Sequence, residues 1–552
     1  MNKQWWKEAV VYQIYPKSFK DTTGNGTGDL QGIISKLDYL KELGVDVIWL
    51  TPVYKSPQND NGYDISDYYT IDESYGTMED FKELLEETHK RDMRLIMDLV
   101  INHTSTEHEW FKKSASSKDN EYRDFYVWKD GIDGEEPNNW QSKFGGSAWG
   151  YDEKTNQYYL HLFDKTQADL NWENETVRKK LYDMIGFWAE IGIDGFRLDV
   201  INLISKNQEF PNDDVGDGRR FYTDGPRIHE FLHEMNETVL SPNQLMTVGE
   251  MSSTSLESCI LYTQEDRKEL DMTFQFHHLK VDYSNGEKWT KAPFDFIRLK
   301  EILSYWQVGM HEGDGWNALF WCNHDQPRIV SRFGDVGKYH EESAKMLATT
   351  IHMMNGTPYI YQGEEIGMTN HNFESINDYR DVESLNAYKL MQQEGKSEQE
   401  IMGILQQKSR DNARTPMQWS ADNQAGFTQG TPWIPVITNY EEINAEKAMK
   451  DTNSIFGHYQ ELIALRKNYD IIVYGDYQLL LEDHESVFAY TRNWENETLL
   501  VVNNFYAKEV TVNFNLEKSD DVSVVLSNYP DSTTAIENIT LRPYESVVYY
   551  VK

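Results

Sequence analysis

The feature that most constrains the fold is a regular alternation between short apolar segments and longer segments with helical spacing. Eight short segments, rich in β-branched and aromatic residues, end at Pro16, Pro52, His103, Val200, Glu250, Phe276, Asp325 and Glu365. Between many of them lie stretches such as residues 78–91, in which apolar side chains recur at a helical period. Continuous apolar strands fit a parallel sheet that is buried on both faces. Eight repeats of strand and helix therefore predict a (β/α)8 TIM barrel.

Two regions interrupt the alternation and predict further domains. Residues 104–172 follow the third strand and are rich in Asn, Gly, Trp and Tyr, which predicts an inserted subdomain. After about Tyr469 the pattern changes to alternating segments such as SVFAYT and SVVYYV, separated by turn residues. The predicted organisation is a barrel at 1–103 and 173–469, the inserted subdomain, and a C-terminal antiparallel β-sandwich at 470–552.

The net charge restricts the partners of the chain. The sequence has 53 Lys and Arg residues against 91 Asp and Glu residues, which gives a net charge of −38. This acidity opposes binding to nucleic acid or to an anionic membrane, and any anionic substrate needs a local basic pocket. No apolar run reaches the roughly 18 residues of a transmembrane helix. The first residues also lack the apolar region of a secretory signal, so we expect a cytoplasmic protein.

Polar residues at the strand ends are the candidate functional residues, because the active site of such a barrel lies at the C-terminal ends of its strands. These residues are Asp60 and Tyr63 after the second strand, His103 at the third, Arg197 and Asp199 at the fourth, Glu250 at the fifth, and His324 and Asp325 at the seventh. No Ser or Cys nucleophile with a His partner is evident. No Gly-rich phosphate loop follows a strand either. The ring of carboxylates, histidines and one arginine is the main chemical signal.

Carboxylates around one barrel mouth fit glycosyl transfer. The oxocarbenium-like transition state needs a nucleophile or a negative charge on one face and a proton donor at the leaving oxygen. Arg197 lies two residues before Asp199 on one strand, so it can keep Asp199 ionised and oriented. Glu250 follows the apolar strand LMTVG, where a drier environment would raise the pKa of its carboxyl. The sequence therefore predicts one ionised and one protonated carboxyl.

Four motifs carry a family resemblance. In chain order, DLVINH, GFRLDV, the Gly-Glu pair after the fifth strand, and NHD before Gln326 resemble the four signature regions of the α-amylase superfamily of glycoside hydrolases. Members of this superfamily retain the anomeric configuration. The resemblance implies that Asp199 is the nucleophile, Glu250 the general acid/base and Asp325 a transition-state stabiliser. It also implies that four residues bind the sugar in subsite −1, namely Tyr63, His103, Arg197 and His324.

Three further segments are similar to the oligo-1,6-glucosidase group of this superfamily: YQIYPKSF, DNGYDI and RDNARTPMQW. Enzymes of this group remove one glucose from a non-reducing end. The resemblance implies that Asp60 and Arg410 close the pocket behind subsite −1, with Arg414 as the competing arginine. Val200, directly after Asp199, resembles the residue found in enzymes that cleave α-1,6 and related bonds.

Other segments separate the chain from oligo-1,6-glucosidases: GEMSSTS, FHHLKVDYSNGEKW and GDGRRFYTDGPRIHEF. They resemble the phospho-α-1,1-glucosidases, which cleave trehalose 6-phosphate to glucose and glucose 6-phosphate. The expected partner is thus a small phosphodisaccharide, and its phosphate requires cations near subsite +1. The segment after the sixth strand supplies the favoured candidates, Lys280 and Lys288, followed by His278. Further cations after the fourth strand are Lys206, Arg219 and Arg220.

One loop has the spacing of a calcium site. Alternate positions between residues 21 and 29 carry oxygen-bearing side chains: Asp21, Thr23, Asn25, Thr27 and Asp29. Related enzymes bind calcium at the corresponding loop, usually with more acidic ligands. The sequence therefore predicts a structural Ca²⁺ here, although position 12 lacks the Glu of an EF-hand. The chemistry itself requires no organic cofactor.

Alternative functions remain open at this point. One is an oligo-1,6-glucosidase or a sucrose-isomerising transferase, which would act on neutral sugars without needing Lys280. Another is a non-catalytic sugar-binding or transporter-partner protein on the same barrel, but such proteins generally lose the catalytic carboxylates and carry a membrane anchor. No obligate protein partner is evident from the sequence.

Overall fold

The structure, a computed structural model, describes residues 3–514 and 521–552. Eight parallel strands form the barrel, and each falls within one of the apolar segments identified in the sequence. In chain order they are β1 (Val11–Ile14), β2 (Val47–Leu50), β3 (Arg94–Leu99), β4 (Gly195–Leu198), β5 (Met246–Glu250), β6 (Met272–Phe274), β7 (Ala318–Leu319) and β8 (Thr357–Tyr361). The predicted (β/α)8 fold is confirmed.

The strand order and register bring distant residues to one level of the barrel. The order is β6-β5-β4-β3-β2-β1-β8-β7, and a parallel bridge from Thr273 to Asn317 closes the ring next to β7. Arg197 of β4 lies beside Asp98 of β3 in the parallel register. Glu250 ends β5 opposite Phe274. The strand ends therefore converge on one mouth.

Helices with clear sequence signals surround the strands. The helix Met78–His89 begins at a capping box, in which Thr77 and Asp80 exchange side-chain-to-backbone hydrogen bonds. The helix Glu175–Ile191 is capped by Asn174 and ends at Gly192, whose φ of 110° is readily available to glycine. The remaining barrel helices are Leu30–Ile34, Leu37–Leu43, Ile228–Met235, Leu256–Thr263, Phe296–Glu312, His340–His352 and Ile455–Asn468.

Shorter elements follow several strands and line the barrel mouth. A hairpin after β2 pairs Tyr54–Lys55 with Asp67–Ile71, and the loop between these strands carries Asp60 and Tyr63. After β8, the helices Val382–Gln393, Glu398–Lys408 and Asp411–Arg414 belong to a long excursion. Other helices are Trp5–Glu8, Glu109–Ser114, Ile329–Phe333, Ala445–Lys450 and Asp470–Tyr474.

An inserted subdomain lies between β3 and the helix Glu175–Ile191. Its strands are His103–Ser105, Trp128–Lys129, Trp149–Asp152, Gln157–Leu160 and Gln167–Asp169. Its core includes Trp140, which also packs on Phe210 of the loop after β4 and donates from Nε1 to the carbonyl of Pro211 at 2.8 Å. The subdomain and this loop therefore form one wall beside the barrel mouth.

The C-terminal region is antiparallel, as the alternating pattern predicts. One sheet has five strands: Asp476–Leu480, Val487–Trp494, Glu497–Asn504, Val522–Ser527 and Ser546–Val551. A second sheet pairs Val510–Asn513 with Asn538–Leu541, and both sheets contribute to one apolar cluster. In the part of the chain that the structure describes, no helix is long and apolar enough to cross a membrane.

Candidate active site

A cavity of about 240 Å³ opens at the C-terminal ends of the barrel strands. Residues predicted from the sequence form much of its lining: Asp60, Tyr63, His103, Asp199, Glu250, Lys280, Lys288, Asp325 and Arg410. Arg197 and His324 are buried directly behind this lining, where they contact Asp199 and Asp325 respectively. The structure thus brings the strand-end residues together, as expected for one catalytic site.

Arg197 is the centre of the carboxylate cluster. Its Nη1 atom lies 2.8 Å from Asp98 Oδ1 and 2.7 Å from Asp199 Oδ1, and its Nη2 atom donates to Glu250. The guanidinium is 1% exposed, so water screens these contacts very little. One cation therefore orients both predicted catalytic carboxyls, and the expectation that Arg197 supports Asp199 agrees with this geometry.

The pKa values of Asp199 and Glu250 are both raised by burial. Burial raises the pKa of Glu250 to about 8, against the opposing effect of Arg197. Burial also raises the pKa of Asp199 to about 7, where Arg197 and a hydrogen bond with Glu250 oppose it. Both carboxyls therefore hold a proton more tightly than an exposed carboxyl does. Near neutral pH the pair can supply one protonated and one ionised carboxyl.

Asp325 is held in its ionised form. Burial alone would raise the pKa of its carboxyl, but the positive charges of Arg410 and Arg414 hold that pKa well below its usual range. Arg414 Nη2 lies 2.8 Å from Asp325 Oδ1, and Arg410 Nη1 lies 3.2 Å from the same atom. A fixed negative charge therefore faces the cavity across from the Asp199 and Glu250 pair.

The inner end of the cavity is closed by an ion pair. Arg410 Nη2 lies 3.2 Å from Asp60 Oδ1, whereas Arg414 contacts Asp325 and the carbonyl of His324. Of the two arginines that the sequence left in competition, Arg410 is thus the one against Asp60. Asp381 lies behind both arginines, 2.9 Å from Arg410 Nε.

His103 and His324 are neutral and polar within the site. Burial lowers the pKa of His103 to about 4 and that of His324 to about 3. Tyr63 stacks on the His324 ring with a centroid distance of 5.1 Å and an interplanar angle of 6°, and its hydroxyl donates to Asp98 at 2.8 Å. These contacts fix the rings of Tyr63 and His324 against each other, and Tyr63 and His103 form part of the cavity lining.

The backbone is strained directly after Asp199. Val200 has φ 37° and ψ 39°, in the left-handed region that a β-branched residue rarely adopts. In this conformation the Val200 N–H donates to Glu250 Oε2 at 3.2 Å. The strain therefore coincides with a hydrogen bond that joins the end of β4 to the acid at the end of β5.

The cations at the outer part of the cavity differ in whether an acid neutralises them. Lys288 Nζ lies 2.6 Å from Glu383 Oε2. Lys143, from the inserted subdomain, donates to Ser252 Oγ at 3.1 Å, and burial lowers its pKa to about 8. Among residues 3–514 and 521–552, neither Lys143 nor the exposed Lys280 pairs with a carboxylate. These two lysines are the free cations beside the cavity.

His278 does not contribute to this cluster, which corrects the expectation that it contacts a phosphate. The 3-10 turn His277–Leu279 directs its ring into the core, where it is 2% exposed. Its nitrogens interact with Gln275 at 3.2 Å and with the carbonyl of Phe320 at 2.8 Å. Burial lowers its pKa to about 4, so it carries no positive charge near neutral pH.

Other predicted cations are also engaged by acids. Arg219 pairs with Asp217, and Arg220 Nη2 lies 2.9 Å from Asp213 Oδ1. Lys206 is 2% exposed and its ammonium lies 3.0 Å from Asp169 and 3.1 Å from Asn102. Lys206 therefore supports the end of β3, where Asn102 in turn lies against His103.

The predicted calcium loop is held together by internal hydrogen bonds in this arrangement. Both oxygens of Asp21 accept backbone N–H groups, from Thr23 and Gly26 at 2.8 Å and from Gly24 at 2.9 Å. Asp29 caps the helix Leu30–Ile34 by accepting from Gly32, and it also accepts from Thr22. The side chains of Thr23 and Asn25 also hydrogen-bond within the loop, where Asn25 Oδ1 accepts from the backbone N–H of Thr27. No group of three or more His, Cys, Asp or Glu residues within the described ranges could hold a metal ion.

The sequence reasoning missed several residues of the site. These are Gln13, Asp98, Lys143, Ser252, Asp381 and Glu383. Asp98 had a usable signal, because it is the one carboxylate inside the apolar third strand. Lys143 had no such signal in the sequence, because it lies in an irregular segment of the inserted subdomain. Only the fold of that segment places it over the barrel mouth.

A (β/α)8 barrel with three carboxyl groups, Asp199, Glu250 and Asp325, around one cavity at its C-terminal mouth is the arrangement of a glycoside hydrolase site. The family comparison agrees: the family described as alpha amylase, catalytic domain, matches residues 13–475, and the alpha-amylase SusG C-terminal domain matches residues 487–548. The chain belongs to the α-amylase family, as the four motifs predict.

The similar proteins extend over the whole chain. Trehalose-6-phosphate hydrolase of Bacillus subtilis is 66% identical over 99% of this chain and 98% of that protein. Oligo-1,6-glucosidase of Bacillus cereus is 57% identical over the full length of both. The crystal structure of Bacillus licheniformis trehalose-6-phosphate hydrolase is 65% identical, with a TM-score of 0.96 and complete coverage of both chains.

Proposed function

We propose that this chain hydrolyses trehalose 6-phosphate to glucose and glucose 6-phosphate with retention of anomeric configuration. Two trehalose-6-phosphate hydrolases, from Bacillus subtilis and Escherichia coli, are 66% and 56% identical to it over 99% of its length. The observation that carries the proposal is the pair of free lysines beside a catalytic cavity in a strongly acidic protein. A neutral disaccharide gives no reason for these cations.

The first step forms a covalent intermediate. The Asp199 carboxylate attacks the anomeric carbon of the unphosphorylated glucose, and the bond from that carbon to the bridging oxygen breaks. Glu250 gives its proton to that oxygen, which leaves as glucose 6-phosphate. Arg197 stays bonded to both carboxyls, so it keeps them on the two sides of the reacting bond.

The second step releases glucose. Glu250, now ionised, takes a proton from water while the water oxygen attacks the anomeric carbon, and the bond to Asp199 breaks. The ionised Asp325 lies beside the cavity throughout and stabilises the positive charge that develops on the sugar ring. Two inversions at one carbon give net retention.

Subsite −1 accepts a single terminal glucose. The Asp60 and Arg410 pair closes its inner end, and both side chains present hydrogen-bonding groups towards the terminal hydroxyls. His103 and Tyr63 line the same pocket. The substrate must therefore enter with a non-reducing glucose first, which leaves the second sugar at the outer part of the cavity.

The phosphate of the second sugar is placed by the outer cations. Lys143 and Lys280 line the cavity with Ser252, and each can donate charge-assisted hydrogen bonds to a phosphate oxygen. Lys288 is the weaker candidate, because Glu383 already neutralises it at 2.6 Å. We therefore assign the phosphate to Lys280 and Lys143 and retain Lys288 only as a secondary ligand.

The cellular setting follows from the substrate. A sugar phosphate is made and retained inside the cell, so we propose that the enzyme acts in the cytoplasm on a small phosphodisaccharide. The mechanism uses side chains alone and needs no organic cofactor.

The test is glucose release from trehalose 6-phosphate, trehalose and isomaltose at equal concentration. Strong preference for the phosphorylated disaccharide supports the proposal. Preference for isomaltose would instead identify an oligo-1,6-glucosidase, and the lysines would then be solvated surface charges. Formation of isomaltulose or trehalulose from sucrose would identify the isomerising transferase.

A further inference from the structure

We propose that Gln13 is a positioning residue that fixes which ring nitrogen of His324 carries the proton. Gln13 lies in β1 and is 1% exposed, and His324 is fully buried at the end of β7. The Gln13 Nε2 atom lies 2.8 Å from His324 Nδ1. This contact determines which nitrogen of His324 carries the N–H.

The charge around His324 decides the tautomer. Burial lowers the pKa of His324 to about 3, so the ring is neutral and has one N–H donor and one acceptor nitrogen. His324 Nε2 lies 3.4 Å from Asp325 Oδ2 and has no hydrogen-bond partner within the part of the chain that the structure describes. An ionised carboxylate only accepts, so the proton is favoured on Nε2, and Nδ1 must then accept from the Gln13 amide.

Aromatic side chains hold the His324 ring in place, so the tautomer is the main property of the ring that can still vary. Tyr63 stacks on one side of the His324 ring, Tyr15 lies parallel to it at a centroid distance of 6.2 Å, and Trp49 meets its edge. Gln13 is paired on both sides of β1, with Trp49 of β2 and Tyr361 of β8. The ring therefore keeps its plane, and the hydrogen bond from Gln13 sets the tautomer rather than the ring orientation.

The consequence is an N–H that faces a carboxylate of the cavity. With the proton on Nε2, the buried His324 presents this N–H towards Asp325, which lines subsite −1. In the other tautomer a lone pair would face the Asp325 carboxylate, and the ionised Asp325 would lose a donor beside it. This step rests on the proposed function only in assigning subsite −1 to a glucosyl group.

Two substitutions at Gln13 separate a tautomer effect from a packing effect. Gln13→Glu has nearly the same shape, but its carboxylate can only accept, so it favours a proton on Nδ1. Gln13→Met removes the hydrogen bond and keeps the volume. With 4-nitrophenyl α-glucoside, which occupies subsite −1 and carries no phosphate, we expect kcat to fall on the order of 100-fold for Gln13→Glu and about 10-fold for Gln13→Met.

Direct detection of the tautomer completes the test. Nitrogen-15 NMR of histidine-labelled protein, with the signals assigned by a His324→Gln variant, should show a protonated Nε2 in the wild-type protein. In Gln13→Glu it should show a protonated Nδ1. A protonated Nδ1 in the wild-type protein, or an unchanged tautomer and kcat in Gln13→Glu, would overturn the proposal. If Gln13→Glu fails to fold, the wild-type spectrum and Gln13→Met still decide. A failure of trehalose 6-phosphate as substrate would change neither readout.

Discussion

Arg410 and Asp60 meet at 3.2 Å although 350 residues separate them in the sequence. The contact joins the loop after β2 to the excursion after β8, so two distant parts of the barrel close one end of the cavity. Under the proposed function, this contact limits subsite −1 to one terminal glucose. We therefore propose that the release of single glucose units, as opposed to cleavage inside a chain, depends on the contact between these two loops.

With a substrate that carries no phosphate, the pH dependence of kcat/KM should have a narrow maximum between about 7 and about 8. Asp199, with a pKa of about 7, must be ionised, so activity falls as the pH drops below that value. Glu250, with a pKa of about 8, must be protonated, so activity also falls as the pH rises above that value. Because the two carboxyls interact, the acid and alkaline limbs of the pH profile reflect the coupled titration of the pair, and neither limb belongs to one residue alone.

The variant Glu250→Gln separates the two limbs. It cannot transfer a proton, and with an activated leaving group such as 4-nitrophenol the alkaline limb should disappear while the acid limb remains. An alkaline limb that persists in Glu250→Gln would assign the second ionisation to another residue.

Asp381→Asn should weaken both stability and activity. Asp381 is fully buried, and its carboxylate compensates the charges of Arg410 and Arg414 on the side away from the cavity. Removing one partner of a buried ionic cluster typically costs about 3–5 kcal/mol. We expect a loss of this size in chemical denaturation and a kcat lower on the order of 10-fold, since Arg410 loses its orientation.

Glu374→Gln is the matched control for this prediction, because it removes an exposed carboxylate from the same excursion. It should leave the free energy of unfolding within about 0.5 kcal/mol of the wild-type value. Equal stability of Asp381→Asn and Glu374→Gln would show that the two arginines do not need Asp381.

The sequence predicted the barrel because its signal is local and repeated. Each strand is a short apolar run, and each catalytic residue directly follows such a run, so Asp199, Glu250 and Asp325 could be identified without tertiary information. Asp381 could not be identified in this way. It follows an irregular segment and approaches Arg410 only because the excursion after β8 folds back on itself.

The error at His278 has a different physical cause. The segment after β6 is rich in basic residues, and the sequence does not reveal which of them face the cavity. The turn His277–Leu279 rotates His278 into the core and leaves Lys280 exposed at the rim. Sequence composition thus located the basic segment correctly, while the backbone of one short turn decided which side chains are available.

Lys280→Ala should discriminate between phosphorylated and neutral substrates. A hydrogen bond to a charged group contributes about 1.5–3 kcal/mol, so KM for trehalose 6-phosphate should rise roughly 10- to 100-fold. The reaction with 4-nitrophenyl α-glucoside should be unaffected, because that substrate has no phosphate. Lys143→Met should show the same split, and Lys389→Ala, which removes another exposed lysine, should show none. A parallel loss on both substrates would mean that Lys280 supports the fold and does not bind phosphate.

The loop at residues 21–29 should stabilise the protein through hydrogen bonds alone. Backbone N–H groups converge on Asp21, and both of its carboxylate oxygens accept from them. Chelation with EDTA and addition of millimolar Ca²⁺ should therefore leave Tm unchanged.

Asp21→Asn should lower the free energy of unfolding by about 1–3 kcal/mol, because an amide nitrogen would face a backbone donor. Asp92→Asn, at an exposed carboxylate with φ 54° that asparagine also tolerates, is the matched control and should be nearly neutral. A rise in Tm with Ca²⁺ that disappears in Asp21→Asn would instead establish the loop as a calcium site that rearranges on binding.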